Sequence, residues 1–209
     1  MCIRDSNYVL INQGTQTLAN TYFGVWVDAD VGTATDDYVG CDVQRGLGYS
    51  YNGDAVDEPS SSSQGYGENP PAVGIDFFEG PYQDADSIDN PLTSNFSNAI
   101  DSLGIPYEGI GIGYGDGIVD NERFGMRRFV YYNNSGNQIN GEPSTPLHFY
   151  NYMNGIWKNG QKMAYGGDGV SAATGANLDI EADYMFPGDT DPFNWGTGGT
   201  TVEPWTEVT

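Results

Sequence analysis

The sequence predicts a mainly β fold, with strands arranged in a sandwich-like (Ig-like or jelly-roll-like) manner, long acidic loops and one packed α-helix. Several runs alternate between apolar and polar residues, which is the period of a half-buried strand. The 209 residues include 30 glycines and 11 prolines, a content that favours many turns without reaching low complexity. Aromatic residues make up 13% of the chain, enough to build a hydrophobic core.

The first predicted strand pair spans residues 7–12 and 21–28, joined by a polar, glycine-bearing link. In the second strand Phe23, Val25 and Val27 alternate with the intervening residues and form one apolar face. Aromatic residues on the other face indicate that it is also covered. A hairpin is therefore expected at the start of the chain.

Further strands are predicted at residues 43–51, 72–78 and 124–133. Two stretches rich in Ser, Gly, Asp and Pro, residues 52–71 and 83–117, are predicted to be loop excursions. Residues 124–133 include two of the seven basic residues, and we expect one of these arginines to neutralise a carboxylate inside the fold.

One helix is predicted near residues 145–158. Ser144 is a suitable N-cap, Pro146 suits the first turn, and Asn159-Gly160 is a typical end. Spacings of three and four place four apolar residues on one stripe, which we expect to face the core: Phe149, Met153, Ile156 and Trp157.

Residues 1–6 (MCIRDS) resemble the translation of a transposon-end adapter used in sequencing libraries, so they are left out of the fold prediction. Residues 7–209 are expected to form a single β-rich domain that is truncated at both ends. Cys41 is predicted to be a small buried residue, because the neighbouring Asp42 disfavours a thiolate.

Charge narrows the range of partners. The chain has 29 acidic and 7 basic residues and a net charge of −22, and such a surface repels nucleic acid and anionic lipid. No stretch approaches the roughly 20 apolar residues of a membrane span. We therefore expect no nucleic-acid partner and no membrane insertion.

Five aspartates cluster after the second predicted strand, spaced by Gly32 and Gly40, and Arg45 is the only base nearby. Carboxylates this close repel one another unless a cation lies between them, and calcium prefers oxygen ligands on a glycine-bearing loop. The alternative is that some of them cap a turn and the others face water. Asp54, Asp57 and Glu58 follow further along. The predicted first-choice ligands are Asp28, Asp30, Asp36, Asp37 and Asp42.

Two other acidic groups are weaker candidates for a cation site. Residues 115–122 (GDGIVDNE) partly resemble an EF-hand loop, although Arg123 stands where the last acidic ligand would be. The first weaker group is Asp116, Asp120 and Glu122, and the second is Asp189 and Asp191.

Several motifs together resemble a segment of large secreted proteins from bacteria that use type IX secretion. The motifs lie at residues 24–54, 74–82, 121–134, 150–160 and 185–196. The resemblance implies export to the cell surface or the extracellular space, and neighbouring Ig-like or fibronectin-like modules. It supplies no catalytic residues.

Three functions are consistent with these observations. The first is a non-catalytic, calcium-stabilised module of a secreted or cell-surface protein. The second is a carbohydrate- or protein-binding module with aromatic platforms at Tyr22, Trp26, Trp157, Trp195 or Trp205.

The third is a glycoside hydrolase or polysaccharide lyase. Such enzymes need two carboxyl groups at a set separation, for which Asp76 with Glu79 or Asp120 with Glu122 are candidates. His148 is the only histidine, so Ser-His-Asp chemistry would depend entirely on that residue.

Overall fold

A computed structural model of the chain describes residues 4–83, 85–91 and 111–208. In this part the regular structure is mainly β, with antiparallel sheets and one α-helix, as the sequence predicts. The elements are β1 (Asp37–Asp42), β2 (Leu47–Asn52), β3 (Val56–Asp57), β4 (Gly67–Glu68), β5 (Ala72–Asp76), α1 (Pro146–Met153), β6 (Ala164–Tyr165) and β7 (Asn177–Glu181), with short 3-10 turns at Ala172–Thr174 and Trp195–Thr197.

The largest sheet has the strand order β1-β2-β5, and its strands are antiparallel. Val39 and Cys41 on one face of β1 contact the hydrophobic clusters described below. The other face has a row of tyrosines, in which the Tyr49 ring lies directly over Gly40. A Cβ at position 40 would come within 2.6 Å of that ring, so only glycine fits there.

The buried core consists of two aromatic-rich clusters. In the first, Cys41 and Val43 pack against Tyr114, Tyr184 and Trp195. The second brings Trp157, Met163, Phe186 and Trp205 together with smaller neighbours. Segments without regular structure, particularly residues 182–186, connect the sheet to these clusters. Much of the core therefore comes from irregular chain.

The predicted hairpin at residues 7–12 and 21–28 is wrong, because neither segment forms a strand. The side chains of Val9, Leu10, Ile11 and Val25 are all exposed. An alternating pattern favours a strand only where a neighbouring strand supplies the backbone hydrogen bonds. None of the described chain pairs with these residues.

The acidic stretch is not simply a loop, since β1 begins at Asp37 and ends at Asp42.

The predicted strand at 124–133 is wrong. Phe129 makes only an isolated parallel bridge with Tyr184, and its main chain bonds to Asp183 and Met185. Strands β2 and β5 confirm the predictions for 43–51 and 72–78, with shifted ends.

The predicted helix is present but shorter, and it begins at Pro146 with Thr145 as its N-cap instead of Ser144. The predicted core stripe is wrong. Phe149 is exposed and Tyr152 is the buried residue of the helix. Trp157 is buried, but it follows the helix rather than belonging to it.

The excursion at 52–71 contains the β3–β4 hairpin, and part of the excursion at 83–117 (residues 84 and 92–110) lies outside the described residues. Cys41 is fully buried, as predicted, and burial raises the pKa of its thiol. Within the described ranges, no helix has the length and apolar character needed to cross a membrane.

Candidate metal site

Three carboxylates converge at one corner of the β1–β2 hairpin. Asp36, Asp54 and Glu58 each offer an oxygen, and these three oxygens lie within 4.8 Å of one another. Asp36 precedes β1, Asp54 follows β2, and Glu58 follows β3. Since the first is half-buried and the other two are exposed, the group is accessible from solvent.

Local hydrogen bonds position the three ligands. The amide of Gly53 donates to the carbonyl of Asp36 over 2.8 Å, which joins the two ends of the hairpin. The Asp54 carboxylate accepts from the amide of Val56, also over 2.8 Å, as in an Asx-turn. The carbonyl of Glu58 accepts from the Thr33 hydroxyl at 2.6 Å.

Asp57 holds this corner together from the inside. Its side chain is fully buried and accepts from the amides of Thr33 (3.0 Å) and Tyr66 (2.6 Å). A buried carboxylate is tolerated only when such donors compensate it. Gly32 permits this contact, because a Cβ there would lie 1.7 Å from an Asp57 oxygen.

Two buried acceptor oxygens beside the corner have no hydrogen-bond partner within the described chain: Oδ1 of Asp37 and Oδ1 of Asn52. These two residues are direct cross-strand partners, so their side chains lie on the same face of the sheet. The other oxygen of Asp37 accepts from the Val31 amide at 2.7 Å. Buried polar atoms are almost always satisfied, so two neighbouring acceptors without a donor need a cation or water.

The surrounding charge is negative. Burial raises the pKa of Asp37 above its ordinary value of 3.8, and the nearby carboxylates of Asp36, Asp30 and Asp57 raise it further. The ion pairs found in the described part of the chain join other acids to bases, so none neutralises the three converging carboxylates. The oxygen-only donor set and the uncompensated charge fit a hard divalent cation.

The structure separates the five first-choice aspartates. Only Asp36 belongs to the convergent group. Asp37 lies next to it with its carboxylate turned toward Val31, and Asp42 makes an ion pair with Arg45 at the far end of β1. Asp28 and Asp30 are exposed on the preceding segment.

Asp54 and Glu58 were missed as ligands, although a signal for them exists. Residues 52–58 (NGDAVDE) place acids at 54, 57 and 58 around an Asn-Gly turn. The antiparallel register of β1 and β2 pairs Asp37 with Asn52 and so brings this turn beside Asp36.

The weaker acidic group at 116–122 does not converge on one point in the described structure. Asp116 accepts from Ile118, Asp120 from Ser87 and the buried Glu122 from Asn90, in each case from a main-chain amide. The bonds of Asp120 and Glu122 tie residues 115–122 to residues 86–90.

Asp191 also accepts hydrogen bonds from the main chain. Its two carboxylate oxygens accept from the amides of Trp195 (3.0 Å) and Gly196 (2.8 Å). Burial raises the pKa of Asp191 in spite of these bonds. The residue lines a shallow cavity of about 250 Å³ that also includes Asp189.

Most of the predicted aromatic platforms are buried in the core, and the predicted catalytic histidine lies at the start of the helix. Trp157, Trp195 and Trp205 are buried, whereas Trp26 is exposed and donates to the Tyr132 hydroxyl. His148 lies 3.4 Å from the Ser144 hydroxyl at the start of α1.

The members of the candidate carboxylate pair Asp76 and Glu79 lie in different surroundings. Glu79 lies 3.7 Å from Arg123. Burial and the charge of Asp42 raise the pKa of Asp76.

Comparison with known proteins identifies no relative. No family model, no curated protein and no solved structure matches the chain.

Proposed function

We propose that the chain is a non-catalytic, calcium-stabilised module of a secreted or cell-surface protein. The observation that carries the proposal is the convergence of Asp36, Asp54 and Glu58 at a corner where no base of the described residues forms an ion pair with them. A cation there would link the entry to β1 at Asp36 to the turn after β2 and the end of β3, which are 18 and 22 residues further along the chain. Its role is to stabilise the fold.

Calcium fits better than the alternatives. The group contains only hard oxygen donors, whereas zinc and copper sites usually include His or Cys. Carbonyls and water on the exposed side would complete the six to eight oxygens that calcium takes. Extracellular sites with few protein ligands bind calcium with a Kd of about 10⁻⁴ to 10⁻³ M, and we expect this range here.

The proposal includes a location and an architecture. The motif resemblance supports export by type IX secretion, with polysaccharide or neighbouring Ig-like domains of the full-length protein as partners. A sandwich-like packing is supported by the way one face of the β1-β2-β5 sheet lies against the buried clusters. Carbohydrate or protein binding is the second candidate, favoured by the exposed aromatic and apolar residues before β1. A glycoside hydrolase or lyase gains no support from the described carboxylates.

The test is a thermal melt with calcium and with a chelator. Saturating calcium at about 100 times Kd should add about 2.7 kcal/mol, which for a chain of this size raises Tm by roughly 5–10 °C. Asp54→Asn with Glu58→Gln should abolish the increment. The matched control, Asp179→Asn with Glu203→Gln, makes the same charge change at exposed acids outside the group and should keep it. A Tm that is identical with calcium and with chelator would overturn the proposal.

A further inference from the structure

Residues 21–28, which precede β1, have the side-chain pattern of a strand but no strand partner in the described chain. Tyr22 stacks edge-on against Tyr150 of α1, Gly24 lies against Met153, and Trp26 donates to the Tyr132 hydroxyl. Tyr22, Gly24 and Trp26 thus contact α1 or Tyr132, although the Trp26 side chain remains 64% exposed. Phe23, Val25 and Val27 remain 46%, 59% and 44% exposed, and Phe23 contacts the ring of Tyr8 at a centroid distance of 5.4 Å. This period of two is strand geometry, in which successive side chains point to opposite faces.

Within the described ranges, the backbone of this segment also lacks a hydrogen-bond partner. Residues 21–28 form no main-chain hydrogen bonds with any other described residue, and only the Asn20 carbonyl accepts a bond from Tyr150. An extended edge with an apolar face and free N–H and C=O groups is a ready template for another strand.

Charge indicates what pairs with it. From residue 7 to residue 27 the chain contains no Asp, Glu, Lys, Arg or His, although the whole chain has a net charge of −22. Two copies that met through most of the remaining surface would bring like charges together. This uncharged stretch is the face where two copies approach with the least repulsion.

The sequence of the segment is also self-complementary. In an antiparallel pair of identical strands related by a two-fold axis, a residue on the axis faces itself and its neighbours pair symmetrically. With Val25 on the axis, Phe23 faces Val27, and Gly24 faces Trp26. Aromatic and β-branched residues form favourable cross-strand pairs, and a glycine leaves room for the large indole ring.

We propose that two copies of this chain associate through antiparallel pairing of residues 23–27, with Val25 on the two-fold axis. The pairing supplies main-chain hydrogen bonds to residues that have none with the described chain, and it brings Phe23, Val25 and Val27 of both copies side by side on one face. This interface is distinct from the acidic corner. The proposal of dimerisation therefore does not depend on calcium binding.

Site-specific crosslinking tests the register. In a Cys2→Ser background, with Cys41 buried and unreactive, Val25→Cys would place two thiols opposite each other, where directly paired Cα atoms lie about 4.5–5.5 Å apart. Val27→Cys is the matched control. Its two copies would lie four residues apart along the strands, about 13 Å, beyond the reach of a disulfide. Mild oxidation should therefore give a covalent dimer from Val25→Cys and none from Val27→Cys.

Light scattering over a roughly hundredfold range of concentration measures the association itself. The unaltered protein should shift from monomer to dimer. Val25→Asp should weaken dimerisation by about a hundredfold, because two carboxylates would face each other on the axis. Leu147→Asp, at an exposed apolar position on α1, should leave it unchanged.

Three results would overturn the proposal: a monomer at every concentration, equal crosslinking of both cysteine variants, or a dimer that is insensitive to Val25→Asp. Because Val25 is exposed, these substitutions should not unfold the monomer, and an unchanged melting curve verifies this.

Discussion

Gly32→Ala tests whether the buried Asp57 builds the acidic corner. Gly32 has a φ of +78°, and a Cβ on it would lie 1.7 Å from one Asp57 oxygen and 2.6 Å from the carboxyl carbon. The alanine cannot be accommodated unless Asp57 moves. Moving Asp57 breaks its bonds to the Thr33 and Tyr66 amides inside the protein.

The expected magnitude has two parts. An L-residue at positive φ costs about 1–2 kcal/mol, whatever surrounds it. Loss of one of these bonds to the charged carboxylate costs about 1.5–3 kcal/mol. The free energy of unfolding should therefore fall by about 4 kcal/mol, which for a chain of this size lowers Tm by roughly 8–16 °C.

Gly160→Ala is the matched control, since Gly160 also has positive φ (+87°) but a Cβ there would have no neighbour within 4 Å. Its Tm should fall by only about 2–8 °C. Both variants are measured by circular dichroism melts with chelator and with saturating calcium. Equal Tm losses for the two glycines would refute the role given to Asp57.

The corner also links Asp57 to the candidate metal site. Thr33, held by Asp57, donates its hydroxyl to the carbonyl of Glu58. Gly32→Ala should therefore reduce the calcium-dependent rise in Tm as well as the Tm in chelator, whereas Gly160→Ala should leave that rise intact. A full calcium response in Gly32→Ala would show that the site forms without Asp57.

Three further predictions concern other parts of the fold. The raised pKa of Asp37 means that its stabilising, protonated form is fully present below pH 3.8 and is lost as pH rises through the folded pKa. Asp37→Asn should thus raise Tm at neutral pH in chelator and lose this advantage below pH 3.8; a constant difference across a pH series of melts would contradict the reasoning. Arg128→Met should cost about 2 kcal/mol in urea unfolding, because it removes the ion pair that joins Arg128 to the partly buried Asp183 at 3.2 Å, and adding Asp183→Asn should recover part of the loss. Trp205→Ala should cost about 3–5 kcal/mol in the same assay, because the buried indole packs between two aromatic rings; a loss below 1 kcal/mol would show that the cluster is not core.

The sequence predicted those elements whose signals are local. Strands β2 and β5 combine strand-forming residues with turns at their ends, and α1 begins at a Thr-Pro pair that suits a helix start under almost any tertiary context. The start of β1 was harder to find, because its aspartates disfavour a strand. Pairing with β2 along all six residues overrides that preference.

The hairpin at 7–12 and 21–28 failed for the opposite reason. Its residues have a good strand pattern, and residues 22–26 even keep the alternation, but no described strand lies beside them. The helix stripe failed because the chain leaves α1 at Asn154 and turns, so that Trp157 enters the core from outside the helix. A periodic pattern predicts which residues share a face only while the helix continues, and α1 ends before Ile156 and Trp157.

By itself, the sequence established a mainly β chain that is strongly acidic, and it located the stretch where carboxylates are concentrated. These properties follow from composition and short-range pattern, which any fold of this chain must express. Only the tertiary structure decided which carboxylates meet. Asp36, Asp54 and Glu58 come together because the register of β1 and β2 closes the hairpin and the buried Asp57 draws the segment at Thr33 onto it. Distances across strands depend on register and burial, and neither can be read from neighbours along the chain.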